Sequence, residues 1–157
     1  MSALLRLFTA ARGSILSGET ATPDWAAATA PSLADIEAIA EAAFARLPIE
    51  FRKLCEGVVI HVVDFADEET LQDLGAESEF DLLGLFRGQG LAQRSALGDT
   101  GALPNMVWLY RRPLLDYWCE GEDTLGEVVT HVLVHEIGHH FGLSDEDMEG
   151  IEASVEG

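Results

Sequence analysis

The chain has 157 residues, 28 of them acidic and 9 basic, for a net charge of −19. A length of one domain with 48% apolar residues allows a sizeable core, which excludes a disordered protein. So negative a field, with no basic stripe to offset it, repels nucleic acid and anionic membrane, and neither is expected as a partner.

Residues 1–31 are rich in Ala, Ser, Thr and Gly and end at Pro31, which predicts a mobile N-terminal arm ahead of a single domain over 32–157. Arg6 and Arg12 interrupt the apolar start before a signal-peptide core can develop. No stretch reaches the length of a membrane span, so a cytoplasmic protein is expected. From Ser32 to Leu47, Ile36, Ile39, Ala40, Ala43, Phe44 and Leu47 recur at helical spacing, with Ser32 and Asp35 placed as a capping box. Pro48 then breaks or redirects that helix.

The nearly continuous β-branched run from Val58 to Phe65 predicts a central strand. A short helix closed by Gly75 is expected over Asp67–Leu74, and further strands over Leu82–Phe86 and Met106–Tyr110. The Gly-rich, polar connection from Arg87 to Pro104 is long enough to border a functional cleft. Leu114–Cys119 reads as a short helix after Pro113. Thr124 and Glu127 cap a helix over an apolar stretch from Val128 to Ile137, and Ser144 and Asp147 cap a last short one. Cys55 and Cys119 form no C-x-x-C pair and read as reduced core cysteines. Acidic residues cluster from Asp64 to Asp81 and from Asp145 to Glu156, as a solvated surface would.

The chemistry is concentrated in His135-Glu136-Ile137-Gly138-His139-His140-Phe141-Gly142-Leu143-Ser144-Asp145. Residues four apart share a helix face, so His135 and His139 can present imidazole nitrogens to one metal ion. Glu136 is one step round, within reach of a water on that metal but not a ligand. A catalytic zinc site usually has three protein ligands and an open position. Gly142 can end the helix in a left-handed conformation and turn the chain so that Asp145 supplies the third. Zinc, one per chain, suits the set His135, His139 and Asp145, although nickel, cobalt or iron would also accept it. His131, one turn earlier on the same face, reads as a buried structural histidine in preference to a group supporting a ligand. His140 lies on another face, and His61 reads as a core histidine. Tyr110, Tyr117, Arg87 and Arg111 are candidates for binding an oxyanion or a substrate carboxylate. No spacing selects among them, and packing or surface pairing is the preferred reading.

The motif, with the acidic run after it, resembles the small bacterial zincin-like metallopeptidases. Leu83-Gly84-Leu85-Phe86-Arg87-Gly88, Leu103-Pro104-Asn105 and Trp108-Leu109-Tyr110-Arg111-Arg112-Pro113 add to the likeness, which covers about residues 33–152. The resemblance implies an α+β, minimal zincin-like fold: a small mixed sheet with helices packed on it and the motif on a buried active-site helix. The Gly142 turn is also similar to that of the metzincins. Asp145 replaces their third histidine, however, and too few residues follow it for a Met-turn subdomain, so Met148 reads as packing on the last helix.

The function expected is therefore that of a zinc-dependent metallopeptidase acting on a peptide or protein substrate, with Glu136 as the catalytic base. The substrate is expected as an extended peptide, added along a strand edge. The alternative is a zinc-binding regulatory or interaction module with the same fold and little proteolytic activity. An intact Glu136 favours the enzyme and the small size favours the module. A metal-dependent ribonuclease conflicts with the charge.

Overall fold

The computed structural model describes residues 2–5, 24–88 and 104–156. Their elements are β1 (Ser2–Leu5), α1 (Leu33–Arg46), α2 (Ile49–Leu54), β2 (Val59–Val63), α3 (Glu68–Leu74), β3 (Leu82–Arg87), β4 (Met106–Tyr110), α4 (Arg111–Glu120), α5 (Leu125–His140) and α6 (Asp145–Glu156). The strands form one mixed sheet in the order β1-β3-β4-β2, antiparallel between β1 and β3 and between β3 and β4, parallel between β4 and β2. The architecture is the expected α+β one. Among the described residues no helix is long and apolar enough to cross a membrane.

Local signals set the helix starts. Ser32 accepts from the Asp35 amide while Asp35 accepts from the Ser32 amide, a complete capping box that stabilises the first turn of α1 by about 1 kcal/mol. Thr124 and Glu127 make the same reciprocal pair at the start of α5. Asp67 caps α3, which Gly75 ends at φ 66°.

The two sheet faces bury different clusters. Leu83, Phe86, Val107 and Leu109 pack with α1, α5 and α6 in the main core, whose members include Ile36, Ala40, Val129, Leu133, Ile137 and Met148. Leu82, Leu85 and Tyr110 form a smaller cluster with Leu71 and Leu74 of α3. Each fully buried aliphatic or aromatic side chain stabilises the fold by about 1.5–3 kcal/mol, so the main core dominates. In β4 the two faces alternate strictly, Val107 and Leu109 against Trp108 and Tyr110. In β3 they do not. Leu4 pairs with Gly84 and Leu5 with Leu82, so Leu83 is an extra residue in a bulge.

Several expectations change. The Val58–Phe65 run contains β2, but among the described residues β2 is an edge strand paired with β4 alone, and Val59 is exposed. The central pair is β3 and β4. Pro48 does redirect the chain, and it then starts α2, a helix not expected from sequence. The helix expected over Leu114–Cys119 begins earlier, at Arg111, because Pro113 falls in the first turn, where a missing amide costs no hydrogen bond. Cys55 is in the core, but Cys119 is exposed at the end of α4. Ser2–Leu5, part of the expected arm, pair with β3, while residues 6–23 of that arm lie outside the described residues, as do 89–103 of the long connection.

Candidate metal centre

Helix α5 crosses the sheet beneath β3. From Val128 to Gly138 every residue but His131 is buried, and Glu136 has no exposed surface. The approach is close because β3 carries Gly84 at the crossing. A Cβ there would lie 2.8 Å from Val132 Cγ1 and 3.1 Å from Glu136 Cγ. Two residues on, the Phe86 amide donates to Glu136 Oε2 at 3.1 Å. A buried carboxylate needs such a donor, since its desolvation is otherwise unfavourable by several kcal/mol.

The end of α5 is built as the motif's spacing predicts. Gly142 has φ 75°, the Gly142 amide donates to the His139 carbonyl and the Leu143 amide donates to the Gly138 carbonyl. These two bonds make a Schellman ending, which reverses the chain after Phe141. Ser144 and Asp147 then exchange amide and side-chain hydrogen bonds and start α6 at Asp145. The paired hydroxyl and amide hold the Asp147 carboxyl below its ordinary value.

Helix α6 returns along α5. At Gly138, an added Cβ would stand 2.4 Å from Met148 Sδ, so this glycine lets the helices meet, with Met148 fully buried between them. The return brings together all three residues expected as ligands: donor atoms of His135, His139 and Asp145 lie within 4.8 Å of one another. His135 is buried, while His139 and Asp145 are exposed. The imidazole centroids of His135 and His139 are 5.5 Å apart. Two imidazoles and a carboxylate at this separation are a fitting donor set for zinc.

A residue that sequence reasoning missed also joins this cluster. Glu152 of α6 places Oε2 2.9 Å from His131 Nδ1 and Oε1 3.1 Å from His135 Nε2. Burial alone would raise the Glu152 carboxyl, but the contacts with the two histidines outweigh it and bring it down to about 2. One signal was present in the sequence, because Glu152 lies seven residues after Asp145 and therefore two turns along the same helix face.

The remaining candidates serve the fold. Arg111 donates from Nη1 to Asp64 at 2.8 Å and from Nε to the Pro31 carbonyl at 2.6 Å. Arg87 donates to the Thr70 hydroxyl. Tyr110 belongs to the small cluster, and burial pushes its hydroxyl up to about 12. Tyr117 packs against the main core. His140 stacks on Phe86 with centroids 4.0 Å apart, and burial lowers its tendency to protonate. His61 stacks on Trp108.

No curated protein matches this chain. Residues 55–155, which run from the end of α2 through α6, match the zincin-like metallopeptidase family, and the chain belongs to that family.

Proposed function

We propose that this chain is a zinc-dependent peptidase in which His135, His139 and Asp145 hold one zinc ion and Glu136 is the general base. The family carries the expectation of zinc and of peptide hydrolysis. The observation that supports these particular residues is the convergence of the three donor atoms within 4.8 Å beside the buried Glu136.

A zinc ion at these ligands supplies Lewis acidity, which makes a water easier to deprotonate and polarises a scissile carbonyl. The protein groups do the rest. Glu136 accepts the proton of the attacking water as its oxygen adds to the carbonyl carbon, and returns that proton to the leaving amine nitrogen when the C–N bond breaks. The Phe86 amide fixes one carboxylate oxygen, and an ionised carboxylate with about four acceptor sites still has capacity for that proton. His135 and Glu136 are themselves buried, which strengthens their electrostatic contacts. The substrate is an extended peptide. Among the described residues the sheet edges open to an added peptide strand are β1 and β2.

The test is hydrolysis of a peptide library by the zinc-supplied chain and by His139→Ala/Asp145→Ala. The parent is expected to cleave and the double variant to be inactive. A double variant as active as the parent would refute the ligand assignment.

A further inference from the structure

Helices α5 and α6 face each other as two ladders. On α5, His131, His135 and His139 recur every fourth residue, so all three imidazoles share one face. On α6, Asp145 and Glu152 are seven apart and share another. The helices run in opposite directions, so Asp145 meets His135 and His139 while Glu152 meets His131 and His135. Two overlapping sets of three donors result, with the buried His135 common to both.

We infer that His131, His135 and Glu152 form a second metal position, one helical turn from the first, which takes a divalent first-row ion such as zinc. It goes beyond the peptidase reading and shares only His135 with it. The three donor atoms lie within 4.8 Å of one another. Each imidazole meets its own oxygen of the one carboxylate, His131 Nδ1 at 2.9 Å from Oε2 and His135 Nε2 at 3.1 Å from Oε1, so Glu152 lies between the two rings. The imidazole centroids of His131 and His135 are 4.0 Å apart. Two imidazoles and a carboxylate are a donor set that one divalent ion satisfies.

The position also has a way in. A cleft of about 260 Å³ opens onto His131 and Glu152 between the start of α5 and the end of α6, with Thr130 and Val155 on its walls. Arg46 and Glu127, also on its lining, offset one another in charge.

The two positions compete for His135, which is common to both sets. An ion held by His131, His135 and Glu152 leaves His139 and Asp145 without it. A chain loaded in that way binds metal stoichiometrically and does not hydrolyse peptides.

The test is a zinc titration, against a chromophoric chelator, of His139→Ala/Asp145→Ala, whose two altered residues are exposed in the parent, so the fold is not at risk. The double variant is expected to bind one zinc per chain, with a Kd weakened by no more than about 100-fold. Adding His131→Ala to it should abolish this binding. The cobalt-substituted double variant should show a visible absorption band that the triple variant lacks. If the double variant binds no zinc, or if His131→Ala leaves its binding intact, the second position does not exist and Glu152 is only an ion-pair partner. The peptidase reading fails separately, when zinc-loaded His131→Ala, which keeps the His135, His139 and Asp145 set alone, cleaves nothing, and that result leaves the titration unaffected.

Discussion

Gly138 and Met148 are the contact on which the geometry of the metal centre depends. The missing side chain of one admits the sulfur of the other, and Asp145 and Glu152 of α6 are placed by that packing. Gly138→Ala would bring a Cβ to 2.4 Å from Met148 Sδ, so the Met148 side chain, and α6 with it where the buried sulfur has no other space, must shift. Zinc affinity is expected to fall although no ligand changes, and a zinc titration checks it. Met148→Ala removes a fully buried side chain and should cost about 2–5 kcal/mol of stability, read from denaturant unfolding.

Gly142 supplies a conformation and not a space. Nothing lies within 4 Å of an added Cβ, so Gly142→Ala meets no clash, but at φ 75° it carries strain of about 1–2 kcal/mol. Relief of that strain would displace Asp145, three residues on. The variant should stay folded by circular dichroism and bind zinc more weakly than the parent.

Gly84 is the opposite case, an ordinary backbone with no room. Gly84→Ala presses on Val132 and Glu136 at 2.8 and 3.1 Å and should cost about 1–3 kcal/mol. Because the push acts on the base, hydrolysis should fall further than zinc affinity. Equal loss of both would show that the helix as a whole had moved.

The two cysteines should differ in reactivity. Cys55 is buried, its Sγ donates to the Phe51 carbonyl, and burial pushes its thiol up to about 11, whereas Cys119 is exposed. A thiol reagent at pH 8 should label one cysteine in the native chain and the second only after denaturation. Rapid labelling of both would contradict the placement of Cys55 in the core.

What was legible in the sequence was what is local. The caps at Ser32 and Thr124 and the turns at Gly75 and Gly142 each depend on residues within four positions of one another, and each forms as expected. Strand rank was not legible. The Val58–Phe65 run looked central because it is nearly continuously apolar, yet β2 is an edge strand that uses those side chains on both faces: Val62 packs with the main core and Val63 with the small cluster. Helix α2 was hidden by Pro48, which marks a start as readily as a stop. At the metal centre, His135, His139 and Asp145 fall within one short motif. Glu152 does not, and its contact with His131 spans 21 residues and depends on how α6 docks.

The most direct test of the central claim is the rate of peptide hydrolysis by the zinc-loaded chain and by Glu136→Gln loaded to the same zinc content. The substitution keeps the shape of the buried side chain and removes its capacity to take a proton. Hydrolysis is expected of the parent and, in the variant, a loss of at least about 100-fold with one zinc still bound per chain. A Glu136→Gln chain that cleaves as fast as the parent would contradict it.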